Sequence, residues 1–217
     1  TAYLYWVGSG ATPDYTVTFE GTSYTATSQY TSNSVGYRFF SGVVNVTSKV
    51  VSKRNGTYSL TNLTIDNTNN QDNYCSVETV LGGWALVVVY ADASEPMRVI
   101  NLYEGFQYFN DSSISLTLSN FKTPTPLGAA TGKASHISWE GDPTLSGGGE
   151  DLSFQGIALN DANNPSGNQF NSVSSITAVS PSAGAVDTAA YGVDFDAYVL
   201  TSTHLTAGMT SATTVYS

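Results

Sequence analysis

The chain has 217 residues, with seven Lys plus Arg against 17 Asp plus Glu, a net charge of −10 and a pI near 4.3. So acidic a surface repels phosphate backbones and anionic lipid, which argues against a nucleic-acid or membrane-surface role. Charged residues make up only 11%, so the solvent faces must be built from Thr, Ser, Asn and Gly, a chemistry of secreted β proteins more than of cytosolic enzymes.

A single domain of this length buries roughly 70% of its unfolded surface and needs no metal or disulfide merely to fold. One domain over 1–217 is therefore expected. Cys75 stands alone and closes no intrachain disulfide. It reads as a small buried hydrophobe, with an intermolecular bridge as the alternative. The sequence opens directly in strand-like residues, without a basic leader or an apolar h-region, and reads as a mature product whose signal has been removed. Its longest valine-rich run is too short for a membrane helix.

In chain order, Tyr3 to Val7 is a strand ended by Gly8-Ser9-Gly10 and Pro13-Asp14. Tyr15 to Phe19 alternates, Glu20-Gly21 turns, and Ser23 to Tyr30 completes a hairpin. Tyr37 to Phe40 leads into Val43, Val44, Val46 and Val50, whose irregular spacing admits one short helical turn. Asn55-Gly56 is the strongest turn signal, and in Thr57 to Ile65 the residues Tyr58, Leu60, Leu63 and Ile65 should point inwards. Asp66 to Asn73 is a polar loop.

The chain is organised around Leu81 to Phe109. Trp84 to Tyr90 is an unbroken β-branched and aromatic run, read as a strand covered on both faces. Residues 91–96 turn the chain, and Arg98 to Tyr103 alternates again, so a central hairpin is predicted. Ser113 to Phe121 alternates with one wet face. His136 to Trp139 is a strand ending in Glu140-Gly141-Asp142-Pro143, and Leu152 to Leu159 resumes the β pattern. The polar run Asn160 to Asn171 reads as a surface or recognition loop. Ser174 to Val179, Val193 to Asp196, Tyr198 to Thr203 and Thr213 to Tyr216 close the list of strands. Many short strands separated by Gly, Pro, Asn and Asp describe an all-β fold, a two-layer β-sandwich, jelly-roll-like, with long polar loops.

Chemical signatures are sparse. His136 and His204 lack metal-ligand spacing and read as ordinary surface or half-buried side chains. No GxSxG, Walker loop, GxGxxG after a strand or CxxC occurs, so no enzyme is expected and no catalytic residue is assigned. Glu140, Asp142, Glu150 and Asp151 flank a glycine-rich loop, and Asp194 and Asp196, two apart, share one strand face. Oxygen clusters of this kind are what calcium uses, so Glu140, Asp142, Glu150, Asp194 and Asp196 are candidate ligands of a structural calcium; no other cofactor is implied. Asn45, Asn55, Asn62 and Asn110 each begin an N-x-[ST] sequon, whereas Pro165 excludes Asn164.

Ala2 to Trp6 followed by Gly8-Ser9-Gly10, the segment GGWALVVVYAD with its later Pro96, Arg98 and LYEGF, the WEGD at Trp139 to Asp142, and the late GVDFD together resemble a family of secreted bacterial and archaeal cell-surface β-domains of unknown function. Its members often precede repeated immunoglobulin-like modules. The resemblance covers most of the chain and implies an extracellular, non-enzymatic surface protein, with no catalytic or ligand residues to carry over.

The expectation is thus an extracellular structural protein, the repeating subunit of a surface filament or matrix fibre that assembles by β-strand addition between copies. The strand-like ends, 1–10 and 210–217, are the expected donors, through Tyr3, Leu4, Tyr5, Trp6 and Val7 or through Thr213, Val215 and Tyr216. Pairing of these strands within their own domain is the competing possibility. The alternative function is an adhesin or carbohydrate-binding module, with other surface proteins or glycans as partners.

Overall fold

The computed structural model describes every residue except 35–36, 67–73, 75–78, 96, 111, 129–131, 140, 142, 144–148, 177–184 and 189–191. Cys75 and the calcium candidates Glu140 and Asp142 lie outside the described residues. The fold is all-β and sandwich-like, with one short helix among the described residues. Where the sequence reads as a single domain, contacts group the chain into two compact units, Thr1–Glu95 with Glu104–Tyr108, and Pro96–Tyr103 with Phe109–Ser217. The physical reason is that each unit closes a hydrophobic cluster of its own.

Unit 1 contains strands β1 (Ala2–Ser9), β2 (Thr16–Phe19), β3 (Thr22–Thr25), β4 (Ser28–Ser34), β5 (Tyr37–Asn45), β6 (Leu60–Thr61) and β7 (Gly82–Val88), with helix α1 (Thr47–Lys53) after β5. One sheet runs β4-β5-β1-β7 and the other β3-β2-β6. Leu4, Trp6, Phe40 and Val44 of the first meet Val17 and Phe19 of the second in one apolar core. Trp6 lies opposite Gly42 in the β1–β5 register, and a Cβ on Gly42 would sit 2.4 Å from the indole. Glycine there leaves the space that the largest core side chain fills. The Glu20-Gly21 turn joins β2 to β3 with both residues at positive φ, 50° and 70°, as a two-residue hairpin requires. Tyr58, Leu60, Leu63 and Ile65 pack on the core as expected, although only Leu60–Thr61 is strand.

Unit 2 contains β8 (Ile114–Leu118), β9 (Gly132–Trp139), β10 (Leu152–Phe154), β11 (Ile157–Ala158), β12 (Ser174–Ile176), β13 (Ala185–Asp187), β14 (Val193–Leu200) and β15 (Ala212–Tyr216). Its sheets run β11-β10-β15-β8 and β13-β12-β14-β9. Leu152 and Phe154 of β10 and Ala212 of β15 pack against Tyr198 and Leu200 of β14. Among the described residues its ladders are antiparallel except β12 with β14, which is parallel.

The expected central hairpin is not found among the described residues. β7 forms over Gly82–Val88, but it is half-buried, ends its sheet and has β1 as its ladder partner. Residues 97–103 stand in no described ladder. The terminal strands are also placed differently from a free-donor expectation. β1 is an inner strand between β5 and β7, and β15 an inner strand between β10 and β8. Leu4, Trp6 and Val7 are fully buried, so the pairing of these strands lies within their own units.

Candidate functional site

The chemically richest place in the molecule is the inner face of β9 and β14 in unit 2. Alternation along β14 points Asp194, Asp196, Tyr198 and Leu200 inwards. Antiparallel register sets Asp196 opposite His136 and Asp194 opposite Ser138. Two carboxylates, an imidazole and a hydroxyl therefore share one face of one ladder. Both aspartates are 0% exposed, and the side chain of His136, expected at the surface or half-buried, is 7% exposed.

The loop between β11 and β12 supplies the partners. Asp194 Oδ1 accepts the backbone N–H of Asn171 at 2.9 Å and of Val173 at 3.1 Å. Asp196 Oδ1 accepts the N–H of Ser175 at 2.7 Å and Nδ2–H of Asn164 at 2.5 Å. The Asn164 amide also donates to the Tyr198 hydroxyl at 3.3 Å, and Gln169 bonds the same hydroxyl. Asp161 turns its own loop by accepting the N–H groups of Asn163 and Asn164, and takes the Ser175 hydroxyl on its other oxygen. The loop is at the surface through Asn160, Ala162, Asn163, Pro165 and Ser166, but it turns Asn164 and Gln169 fully inside. Its amides enter the interior because the buried carboxylates need donors.

Four buried atoms of the ladder face nevertheless find no hydrogen-bond partner: His136 Nε2, Ser138 Oγ, Asp194 Oδ2 and Asp196 Oδ2. His136 Nε2 and Asp196 Oδ2 stand 3.5 Å apart. That separation would suit an ion pair, yet burial favours the neutral forms of both groups. Desolvation pushes Asp196 up to about 7, with the Asp194 charge adding to it, and pushes Asp194 up to about 6. Desolvation also lowers His136 to about 4. The imidazole is enclosed by aromatic rings, stacked on Tyr198 and edge-on to Phe170 and Tyr216, which accounts for its preference for the neutral state.

Gly141 closes the end of the chamber. A Cβ there would lie 2.3 Å from Asp194 Oδ2 and 2.6 Å from the Phe170 carbonyl oxygen. Ser172 holds Gly141 by donating to its carbonyl and accepting the N–H of Gly192. Beside the network an open pocket of about 200 Å³ is lined by Asn160, Asp161, Tyr198 and His204, among others.

Of the calcium candidates, Asp194 and Asp196 come together. Glu150 instead forms isolated β-bridges with Gly167 and Asn168. No group of three or more His, Cys, Asp or Glu among the described residues is arranged to hold a metal ion. The four sequon asparagines, Asn45, Asn55, Asn62 and Asn110, are all exposed. What the site can do chemically is hold and exchange a proton in a dry setting. Its less obvious members, His136, Asn164, Gln169 and Asn171, had one signal in the sequence: two aspartates at alternate positions in the otherwise apolar VDFDAYVL strand demand buried donors. Comparison with protein-family models, curated proteins and solved structures finds no match.

Proposed function

We propose that this chain is an extracellular structural β-protein that assembles with copies of itself by strand addition. The observation that carries the proposal is the segment 97–103. Its sequence, MRVINLY, keeps a strand's alternation, yet it lies in no described ladder. Met97 is 102% exposed, Val99 78% and Ile100 61%, and Leu102 and Tyr103 are exposed as well. So many large apolar side chains in one short run are costly to leave in water and mark an interaction surface. The outer edge of β7 in a second copy suits them as acceptor, because β7 ends its sheet and is itself half-buried and apolar. Donor and acceptor are different surfaces, so the contact is head-to-tail and propagates into an open fibre. This replaces the terminal strands as donors, since both serve inside their own sheets. Low charge, exposed sequons and the resemblance to secreted surface domains support the extracellular setting.

Electron microscopy and sedimentation at neutral pH test the reading. The wild-type chain should form filaments, and Ile100→Pro, which removes a ladder N–H from an exposed segment, should leave folded monomers. Filaments unchanged by Ile100→Pro, or a wild type that stays monomeric at high concentration, would sink it. The alternative, an adhesin or carbohydrate-binding module, rests on the open pocket beside Asn160 and His204. A monomer that binds an immobilised glycan and loses it on His204→Ala would favour that reading.

A further inference from the structure

The open pocket of about 200 Å³ in unit 2 is lined from two places in the chain, residues 158–161 at the end of β11 and Val199 with His204 at and beyond the end of β14. Backbone groups hold its polar side chains in place. Asp161 takes the N–H of Asn163 at 2.8 Å and of Asn164 at 3.0 Å on Oδ1, and the Ser175 hydroxyl at 2.9 Å on Oδ2. A carboxylate accepts about four hydrogen bonds, so Oδ2 keeps a lone pair for a ligand. His204 sits in a turn closed by its own N–H and that of Leu205 on the Thr201 carbonyl, at 3.0 and 2.9 Å. The Thr201 N–H donates back to His204 Nδ1 at 3.2 Å. With Nδ1 accepting, the neutral imidazole carries its proton on Nε2, which is thereby a fixed donor. Asn160 is exposed and adds a carboxamide that both donates and accepts. Ala158, Leu159 and Val199 give the same pocket an apolar lining.

We propose that this pocket binds one neutral pyranose ring, as a free sugar or as the terminal residue of a glycan, with adjacent hydroxyls bridging Asp161 and His204 and the C–H face of the ring lying on Ala158, Leu159 and Val199. Such a site rests on the glycan-binding reading of the chain and does not depend on assembly.

Charge, hydrogen-bond sense and size each narrow the ligand. A phosphate or sulfate would bring acceptors and negative charge to a carboxylate, in a chain of net charge −10. An ammonium satisfies Asp161 but offers nothing to the His204 N–H, since it has donors alone. A hydroxyl donates and accepts, so a pair of them answers both groups at once. A pyranose also carries an apolar face of C–H groups for the three aliphatic side chains to cover, in keeping with ligand pockets that combine a mostly apolar lining with a few placed polar groups. A volume of about 200 Å³ lies below the roughly 300–1,000 Å³ of drug-sized sites. One ring therefore fits, and a chain laid lengthwise does not. Because the pocket is open, further sugars of a glycan would extend into solvent. A ligand of about a dozen non-hydrogen atoms on so small a site should bind with a dissociation constant on the order of 1 mM.

The test is amide-shift NMR of the full chain titrated with glucose, galactose, mannose and N-acetylglucosamine, with N-acetylneuraminic acid as the anionic control and an immobilised oligosaccharide ending in the best of the neutral rings. At least one neutral sugar should shift the amides of Asn160, Asp161 and His204 and saturate at millimolar concentration, and the anionic sugar should not. Retention on the immobilised glycan as well supports a glycan tip as the source of the ring, and binding of the free sugar alone supports a soluble sugar. His204→Phe removes the donor and should weaken binding about tenfold. Asn160→Ala, at an exposed position, should weaken it several-fold and serves as the second variant should the first disturb its turn. Shifts confined to other parts of the chain, a preference for the anionic sugar, or binding unchanged in both variants would overturn the site and leave the glycan reading standing. No shift with any sugar, together with no retention on the immobilised glycan, would rule out both.

Discussion

Two small sandwiches in one chain solve the same packing problem with different materials. Both are built from two sheets with inward side chains alternating along each strand. Unit 1 fills the gap with rings and branched aliphatics: Trp6, Phe19 and Phe40, with Tyr58 lying flat on Phe19 at 5.6 Å. Unit 2 does so at one end only, with Leu152, Phe154 and Leu200, and gives the other end to Asp194, Asp196, His136, Asn164 and Gln169. An apolar core answers to volume and ignores pH. A polar core answers to the count of donors and acceptors, and that count changes with every proton.

The sharpest way to break unit 1 is to remove volume. Trp6→Ala takes away its largest fully buried side chain and should cost about 3–5 kcal/mol in urea unfolding, independent of pH. In unit 2 the damaging changes are to polar contacts. Asn164→Ala removes a donor from the already under-supplied Asp196 and should cost about 1–3 kcal/mol at pH 7. Because protonation of Asp196 relieves the same deficit, the loss should be smaller at pH 5, and equal losses at both pH values would contradict the difference drawn between the cores. Gly141→Ala, which drives a methyl against Asp194 Oδ2 and the Phe170 carbonyl, should cost about 1–3 kcal/mol, with faster amide exchange at Asn171 and Val173. The smallest effect belongs to the surface of unit 1. The Lys53 ammonium, helped by the Ser59 N–H, holds the Glu20 carboxyl below its ordinary 4.5. Its contribution is present above that value and fades as pH falls through the lowered one. Glu20→Gln should thus shift the urea midpoint only slightly at pH 7, and acid should weaken this contact in unit 1.

Much of unit 1 was legible because its rules are local. The alternation of Tyr15 to Phe19 and the Glu20-Gly21 turn specify a hairpin without reference to anything distant, and the irregular valines around Val46 and Val50 do resolve into a short helix. The hairpin expected of Trp84 to Tyr103 was read with the same rules, but β7 spends its pairing on β1, a strand far away in sequence. The inward-turned part of the polar loop 160–171 is hidden from the sequence for a related reason. Composition says that asparagines belong in water, whereas Asn164 is drawn inside by the Asp196 carboxylate and Gln169 by the Tyr198 hydroxyl, partners more than twenty residues downstream that no local window contains. The aspartate pair itself was visible, since alternate positions on a strand must share a face. That His136 would stand across from it depends on the register of β9 with β14, which the sequence of neither strand fixes alone.

The inner position of β1 also bears on how the molecule is made. Leu4 pairs with Val44 on one side and with Leu86 on the other. As a ribosome delivers the chain, β1 emerges before either partner and must wait, with Leu4 and Trp6 uncovered, until β5 and then β7 have been synthesised. Closure of unit 1 therefore depends on pairings distant in sequence, which ties its folding to the arrival of β7.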